Sequence, residues 1–144
     1  MNQLYRDLIV KHYRNPFNKG LIKNTKKNNY IIFKKKNISC SDEITLQVRF
    51  DNWNIVDIKY DVKGCAILIA SSSLMSIFLK NYNLKVAITK INNFCNMLQN
   101  KKFNPDLLEK ELQVLKVISQ FPGRFVCAST PWQLLLQMIQ KIKK

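Results

Sequence analysis

Residues 43–60 of the chain are Glu43-Ile44-Thr45-Leu46-Gln47-Val48-Arg49-Phe50-Asp51-Asn52-Trp53-Asn54-Ile55-Val56-Asp57-Ile58-Lys59-Tyr60. Apolar and polar side chains alternate over residues 43–50 and again over residues 55–60, which is the period of a strand with one buried face. The polar segment between them, residues 51–54, is typical of a turn. The sequence therefore predicts a β-hairpin, and the sheet is expected to be antiparallel at this point.

A helical pattern replaces this alternation after Gly64. Residues 65–79 are a long apolar run rich in Ala and Ser, which predicts a nearly buried helix with small residues where it packs closely. Residues 84–99 repeat apolar side chains at helical spacing and predict another helix. Asn104-Pro105-Asp106 predicts the start of a further helix that runs to about Ser119, because proline is tolerated at the first helical position.

The last part of the chain is also predicted to be helical. Phe121-Pro122-Gly123-Arg124 is expected to break the preceding helix, and Cys127 is expected to open the final one. Apolar side chains recur at helical spacing from Leu134 to Ile142, and the lysines of the last turn suit a helix C-terminus. A small antiparallel sheet followed by helices predicts an α+β fold.

The segment before the hairpin contributes one more helix and one more strand. Residues 3–14 have amphipathic helical spacing, which ends before Asn15-Pro16 because a residue that precedes proline avoids the helical region. Residues 17–28 are polar and basic and predict a loop. Residues 30–33 predict a strand, and Lys34–Lys36 are expected to form a solvated edge or loop. With no repeat or linker in the pattern, residues 1–144 are expected to form a single domain.

The charge of the chain is strongly positive. Lys and Arg number 24 against nine Asp and Glu, which gives a formal net charge of +15 and an isoelectric point near 9.9. Such a charge is typical of proteins that bind nucleic acid, but 20 of the 24 basic residues are lysines, and base-specific reading favours arginine. Compositional drift is the favoured explanation, no specific nucleic-acid partner is expected, and nonspecific phosphate binding stays open.

Targeting signals are not evident. No apolar stretch approaches the ~20 residues that a membrane-spanning helix needs. The first residues lack a basic region followed by an apolar core, so they are not expected to be a signal peptide. We therefore expect a cytoplasmic protein without a membrane partner. In that reducing compartment the four cysteines are expected to be free, catalytic or metal-bound.

Three of the four cysteines lie at the predicted ends of elements. Cys40 precedes a strand, Cys65 lies at a strand-to-helix junction, and Cys127 is expected at a helix start. The free amides and the dipole of a helix N-terminus favour a thiolate, which applies to the last two. Cys95 lies in the middle of a predicted helix, where a cysteine is commonly a small buried apolar residue.

Asp42 adds a carboxylate two residues after Cys40. Three thiolates and one carboxylate make four donors, which is the number that a tetrahedral zinc requires. Thiolates also suit iron–sulfur clusters. The excess negative charge would be offset by Arg124 and Lys63, which are close in sequence to two of the cysteines. The spacing matches no compact zinc motif, so unconnected cysteines, and an Asp42 that only caps a turn, remain alternatives.

Three other residues have competing interpretations. His12, the only histidine, is expected to be a packed or surface residue rather than a metal ligand. Arg124 is either an anion contact or only an electrostatic support for the negative site. Trp132 is expected to lie in the core.

Four segments form an ordered pattern over nearly the whole chain. They are Leu4-Tyr5-Arg6-Asp7-Leu8-Ile9 with His12-Tyr13-Arg14-Asn15-Pro16-Phe17-Asn18-Lys19-Gly20; Cys40-Ser41-Asp42-Glu43-Ile44; Gly64-Cys65-Ala66-Ile67 with Ala70-Ser71-Ser72-Ser73; and Phe121-Pro122-Gly123-Arg124-Phe125-Val126-Cys127-Ala128 with Trp132. This pattern resembles the IscU/NifU-type iron–sulfur cluster assembly family.

Within that family the chain looks like the SufU branch. Val126 stands where typical IscU scaffolds have His before the third cysteine, the segment between the second and third cysteines is long, and a Leu-Pro-Pro-Val-Lys chaperone-docking segment is absent. Ser41 and Val62 depart from the family pattern, which usually has Gly at both positions.

The resemblance implies a three-stranded antiparallel sheet with surrounding helices. It also implies that Cys40, Asp42, Cys65 and Cys127 bind zinc, and that Cys40 accepts sulfur from the persulfide of a pyridoxal-phosphate-dependent, SufS-like cysteine desulfurase. The sulfur would then pass to downstream iron–sulfur assembly proteins. The chain would be at most a zinc-dependent sulfurtransferase acting with that enzyme, without independent turnover.

Two alternatives accompany this hypothesis. An IscU-type scaffold would assemble a [2Fe–2S] cluster on the same ligands, with iron in place of zinc. A basic nucleic-acid-binding module would hold a purely structural zinc and contact phosphates through its lysines.

Overall fold

The computed structural model describes residues 2–23, 25–36 and 42–143. Within these residues the helices are α1 (Gln3–Arg14), α2 (Ala66–Phe78), α3 (Leu84–Leu98), α4 (Lys110–Val114) and α5 (Pro122–Ile142), with short 3₁₀ helices at Pro105–Leu107 and Leu115–Gln120. The strands are β1 (Tyr30–Lys36), β2 (Glu43–Asp51) and β3 (Asn54–Lys63). This arrangement confirms the predicted α+β class.

The sheet is antiparallel throughout, with strand order β1-β2-β3. Leu46 of β2 lies opposite Phe33 of β1 and Tyr60 of β3, and the alternate residues of β2 on that face are buried. The predicted hairpin is confirmed, and its turn residues Asn52 and Trp53 both have positive φ, as a two-residue hairpin turn requires. All three strands are longer than predicted. The register of β1 with β2 continues to the end of the strand, which places the lysines of residues 34–36 on an exposed edge.

The buried core lies between the sheet and helices α2 and α5. Helix α2 contacts α1, α5 and β3, and α5 also contacts α3, β1 and β2. Trp132 of α5 is fully buried and stacks on Phe94 of α3 with ring centroids 4.0 Å apart, so its predicted core position is confirmed. Among the described residues, no helix has the length and hydropathy needed to cross a membrane.

The predicted helix between Asn104 and Ser119 is wrong as a continuous element. Asn104 does cap its start, since its side chain accepts a hydrogen bond from the amide of Asp106, but the chain then forms two 3₁₀ segments around the short helix α4. The buried residues Leu115 and Ile118 fit the second 3₁₀ segment. They are spaced three apart, and side chains at i and i+3 line up on a 3₁₀ helix, which has 3.0 residues per turn.

The start of the final helix also differs from the prediction. The preceding 3₁₀ segment does end at Gln120, next to the expected break, but helix α5 begins at Pro122 rather than at Cys127, so Pro122 and Gly123 belong to its first turn. A proline at this position suits a helix start, because its fixed φ is helical and its missing N–H would have no partner in the helix. Cys127 consequently lies in the second turn, where the effect of the helix N-terminus is weaker than the sequence predicted.

Helix α1 and the loop after it were predicted correctly and are tied to the rest of the fold. The backbone amide of Phe17 donates to Ser73 Oγ at 2.9 Å, and its carbonyl accepts from Tyr60 Oη at 2.5 Å. Farther along, the amide of Ile22 donates to Gln47 Oε1 at 2.8 Å. These bonds fix the predicted loop against α2 and the sheet, because they satisfy backbone groups that no regular element would pair.

Candidate metal centre

The end of the β-hairpin brings a carboxylate next to a thiol. Asp42 directly precedes β2 and Gly64 directly follows β3. Glu43 and Lys63 are paired across these strands, so Asp42 and Gly64 lie opposite each other just beyond the ladder. Cys65 follows at once, which places its thiol near the Asp42 carboxylate although the two residues are 23 positions apart in the sequence.

Three of the four predicted ligands converge at this point. One carboxylate oxygen of Asp42 and the sulfur atoms of Cys65 and Cys127 all lie within 4.8 Å of one another. Asp42 is buried, with 8% of its surface exposed, and Cys127 is partly buried. The fourth predicted ligand, Cys40, lies outside the described residues, as does Ser41. The three donors that are described form a compact set from three different parts of the chain.

Cys65 caps the N-terminus of α2. Its backbone is extended, and its Sγ accepts a hydrogen bond from the amide of Leu68 at 3.4 Å. The predicted position of this thiol at a helix N-terminus is therefore confirmed. The hydrogen bond from Leu68 orients the sulfur of Cys65 at the start of α2. Cys65 is more exposed than Cys127, the other described thiol of this cluster.

Cys127 is the inner thiol of the cluster. Its Sγ lies 3.5 Å from Asp42 Oδ2 and donates a hydrogen bond to it. Burial, followed by the neighbouring Cys65 and Asp42 groups, raises the pKa of the Cys127 thiol well above its usual range. Without a cation this sulfur therefore stays protonated, and a bound cation would reverse that preference by attracting the thiolate.

A buried serine fixes Cys127 relative to Cys65. Ser71 Oγ donates to the carbonyl of Ala128, the residue after Cys127, at 2.5 Å. The same oxygen accepts a hydrogen bond from Trp132 Nε1 at 2.9 Å. Helix α2, which Cys65 caps, and helix α5, which contains Cys127, are thus joined one residue from the cluster. Sequence reasoning placed the small residues of α2 at a packing contact but missed this hydrogen-bonded link.

The predicted electrostatic partners lie beside the cluster in sequence. The guanidinium of Arg124 stands 4.5 Å from the ring centroid of Phe121, which is a cation–π contact within the first turn of α5. Lys63 is exposed at the end of β3, opposite Glu43. The predicted role of Arg124 toward a negative ligand stays a prediction.

His12 is a packed residue, as expected, and not part of the cluster. It is 1% exposed, its Nδ1 lies 2.8 Å from Ser73 Oγ, and its ring centroid lies 5.6 Å from that of Phe17. This hydrogen bond helps to hold α1 against α2. The surroundings therefore give the imidazole a structural task in the packing of the N-terminal helix.

Cys95 is also a packed residue. It lies in α3, is partly buried against the core, and burial raises the pKa of its thiol to about 11. A thiol with such a pKa is a poor nucleophile at neutral pH. Its predicted role as a small apolar residue is confirmed.

The two departures from the family pattern have different positions. Val62 is buried in β3 and pairs with Ile44, so its side chain contributes to the core. Ser41 is outside the described part of the chain.

The donor chemistry of the cluster fits a thiolate-binding metal. Two sulfurs and a carboxylate oxygen, with a third cysteine close in sequence to that carboxylate, are donors that zinc and iron–sulfur centres accept. Hard cations that prefer only oxygen ligands fit this set less well.

Comparisons with known proteins agree with this chemistry. The family described as NifU-like N terminal domain matches residues 4–128. The zinc-dependent sulfurtransferase SufU of Bacillus subtilis (strain 168) is 31% identical over 141 residues, which cover 98% of this chain and 92% of that protein. The iron–sulfur cluster assembly scaffold protein IscU of Streptococcus pyogenes serotype M1 is 29% identical over 142 residues, covering 98% of this chain and 86% of that protein.

Solved structures show the same architecture. The crystal structure of a protein described as an iron–sulfur cluster assembly scaffold for the SUF system, from Fervidobacterium islandicum AW-1, superposes with a TM-score of 0.81 at 30% identity. The match covers 92% of this chain and 93% of that one. The N-terminal part of a nitrogen-fixing NifU-like protein from Brucella abortus has the same fold, with a TM-score of 0.77 at 17% identity and coverage of 97% and 94% of the two chains. The cluster, the fold and these matches together show that the chain belongs to the NifU-like N-terminal domain family.

Proposed function

We propose that this protein is a zinc-bound sulfur acceptor for iron–sulfur cluster assembly. It takes sulfane sulfur from a pyridoxal-phosphate-dependent cysteine desulfurase and passes it to cluster biogenesis. The observation that carries the proposal is the convergence of Asp42, Cys65 and Cys127 in a chain that is similar over nearly its whole length to a zinc-dependent sulfurtransferase. A reducing compartment such as the cytoplasm suits it, because the thiols must stay reduced.

The zinc would be held by Asp42, Cys65, Cys127 and, as the resemblance implies, Cys40. Bound zinc supplies a positive charge that keeps the cysteines as thiolates and protects them from oxidation. The environment of the described donors supports this assignment. Cys65 already receives an amide hydrogen bond at a helix N-terminus. Cys127 and Asp42 share a partly buried hydrogen bond, and a cation would offset the negative charge of that carboxylate.

The proposed ligands differ in how firmly each would stay bound to zinc. Cys127 is fixed by the link from Ser71 to Ala128, so it serves as a permanent anchor. The Asp42 carboxylate is the hardest donor of the set, so it would be the ligand of a bound zinc that a partner's side chain replaces most easily. Arg124, beside Cys127 in sequence, would support the negative charge of an incoming persulfide.

Cys40 would carry out the transfer. Its thiolate attacks the terminal sulfur of the desulfurase persulfide, so that a new S–S bond forms on Cys40 while the desulfurase cysteine leaves as a thiolate. The exchange needs no external oxidant, because the transferred sulfur is already in the sulfane state. The product is a persulfide on Cys40 that a downstream assembly protein can accept.

A [2Fe–2S] scaffold is the second candidate, since relatives named IscU also match the chain. The residue before Cys127 distinguishes the two. It is Val126, which is 45% exposed and offers no ligand atom in its side chain. This position therefore favours sulfur relay over the scaffold with a histidine beside the third cysteine.

The sulfur-relay proposal predicts different effects for two cysteine variants. Cys40→Ala should abolish the stimulation of sulfide release from a matched cysteine desulfurase, because the acceptor thiol is lost. Cys95→Ala should leave the stimulation intact, since that thiol is packed in α3 and has a raised pKa. The measurement is sulfide released per minute in the presence of a reductant.

Equal activity of the two variants would refute the assignment of Cys40. Reconstitution of a stable [2Fe–2S] chromophore on the wild-type chain, without any stimulation of the desulfurase, would instead support the scaffold.

A further inference from the structure

Gly64 lies in direct contact with the Asp42 carboxylate. A Cβ atom built on Gly64 would lie 2.6 Å from Asp42 Oδ1 and 2.9 Å from its Cγ, well inside van der Waals contact. On its other side this Cβ would lie 3.0 Å from Leu68 Cδ2. The space that a side chain at this position would need is thus already filled by the carboxylate.

Space, and not backbone freedom, is what this position requires. The φ angle of Gly64 lies outside the positive range that favours glycine, whereas Gly20, in the loop before β1, has φ of +120°. The φ angle at residue 64 therefore does not call for glycine, whereas the close approach of Asp42 leaves no room for a side chain. The antiparallel register causes that approach, because Asp42 and Gly64 lie opposite each other beyond the Glu43–Lys63 pair.

The position of the carboxylate decides which atoms it can meet. Asp42 has 8% of its surface exposed, and its Oδ2 accepts the hydrogen bond from Cys127 Sγ while its Oδ1 faces Gly64. A methyl group at residue 64 would push the carboxylate away from Gly64, and the other oxygen of the same rigid group would move with it. The contact with the sulfur of Cys127 would then be lost or lengthened.

We propose that Gly64 is a positioning residue for the metal centre: its missing side chain forms the slot that holds the Asp42 carboxylate against the thiols of Cys65 and Cys127. The proposal rests on the metal-binding part of the proposed function. It makes Gly64 the reason why one carboxylate and two thiols, from distant parts of the chain, can share one ion.

The first test is zinc affinity, measured on the full chain by competition with a chromophoric chelator. Gly64→Ala should weaken zinc binding about tenfold or more, the range seen when groups that orient metal ligands are changed. Gly123→Ala is the matched control. A Cβ at Gly123 meets nothing within 4 Å, although this residue lies four positions from Cys127, so the control should bind zinc like the wild type.

The second test asks whether the effect passes through Asp42. Asp42→Ala should weaken zinc binding as Gly64→Ala does. Adding Gly64→Ala to Asp42→Ala should change the affinity by less than about twofold, since the carboxylate that the methyl group displaces is already gone. Fully independent losses in the double variant would overturn the proposal, as would wild-type affinity in Gly64→Ala.

A metal-free readout covers the case in which Gly64→Ala folds poorly. Thermal unfolding of the metal-free chains should show a lower midpoint for Gly64→Ala than for the wild type. Removing the Asp42 side chain should restore part of that loss, because it removes the steric conflict. If the unfolding midpoint is not restored, the methyl group conflicts with Leu68 or with the backbone instead of with Asp42. That result would overturn the proposed role of Gly64.

These measurements are separate from the test of sulfur transfer. A wild-type chain that binds zinc but does not stimulate the desulfurase would refute the proposed function. It would not affect the comparisons of zinc affinity and thermal unfolding among the Gly64 and Asp42 variants. Zinc affinity that is unaffected by Gly64→Ala, in a chain that does stimulate the enzyme, would refute the role of Gly64 alone.

Discussion

At the scale of single residues, His12 shows how burial controls charge. Its imidazole lies between α1 and α2, with Ser73 Oγ at 2.8 Å from Nδ1 and Glu111 Oε2 at 3.9 Å from Nε2. Burial, and then the neighbouring charge of Lys11, lower its pKa from 6.5, while Glu111 acts in the opposite direction. The folded protein therefore favours the neutral imidazole.

Acid should consequently destabilise the protein through His12. Above pH 6.5 the imidazole is neutral in the folded and unfolded states and makes no difference. As the pH falls through 6.5 toward the lower folded pKa, the unfolded chain takes up the proton first, so the free energy of unfolding decreases. Urea unfolding between pH 7.5 and 5.5 should show this decrease in the wild type and a smaller one in His12→Gln. The same slope in both proteins would contradict the assignment.

At the scale of elements, the contact between α2 and α5 depends on one serine among several. Ser71 and Ser72 are adjacent on α2 and both fully buried. Ser71 links α2 to Ala128 and Trp132 of α5, whereas Ser72 Oγ donates to the carbonyl of Leu68 within its own helix at 2.8 Å. Ser71 therefore joins two helices, while the Ser72 bond is local.

The two serines should respond differently to replacement by alanine. Ser71→Ala should lower the free energy of unfolding by about 1–3 kcal/mol, because it leaves the buried Trp132 N–H without its acceptor. Ser72→Ala should cost less than about 0.5 kcal/mol, since alanine favours the helix and the Leu68 carbonyl keeps its helical environment. Denaturant unfolding measures both values. Equal losses would show that the link between the helices is not what Ser71 contributes.

Elements also show how far local patterns reach. Residues 43–60 and 65–79 were predicted well. The first range shows the two-residue alternation of strands, and the second is an apolar run long enough for a buried helix, so each pattern is visible within the element that it predicts. The segment from Asn104 to Ser119 was not predicted well, because a proline cap and apolar spacing suit an α-helix and a 3₁₀ helix almost equally. In the structure, Leu115 and Ile118 are both buried and lie three positions apart on the tighter 3₁₀ segment.

At the scale of the whole molecule, the net charge of +15 acts over a distance. Most lysines of the described residues are exposed, and Lys90 is an exception, buried beside Glu109 and over the Tyr82 ring. Exposed lysines create a positive field that steers acidic partner surfaces and attracts phosphates without sequence preference.

Duplex DNA should therefore bind only weakly and lose its affinity with salt. Between about 50 and 200 mM salt the affinity should fall by several orders of magnitude, as expected for binding that depends on counterion release. Fluorescence anisotropy with two unrelated duplexes measures the affinity and its sequence dependence. Sequence-specific binding that survives physiological salt would favour the nucleic-acid-binding alternative over sulfur transfer.

Some features of the candidate site could be predicted from the sequence pattern, some only from the family resemblance, and one was missed. Cys65 could be placed at a helix N-terminus because the change from strand to helix is visible around Gly64. The assembly of Asp42, Cys65 and Cys127 came from the resemblance to a family, since their spacing matches no compact motif. The role of Gly64 was missed, although the pairing of the two predicted strands would have placed it opposite Asp42 once the register was known.

The amino-acid sequence by itself determined most of the helices and strands, because apolar periodicity and turn residues act between near neighbours in the chain. It also determined the inventory of donors and, through the resemblance, the chemistry that they serve. Only the tertiary structure decided that Ser71 joins α2 to α5 and that Gly64 leaves room for a carboxylate. Each of these depends on atoms that are distant in sequence and meet only when the sheet register and the helix packing are complete.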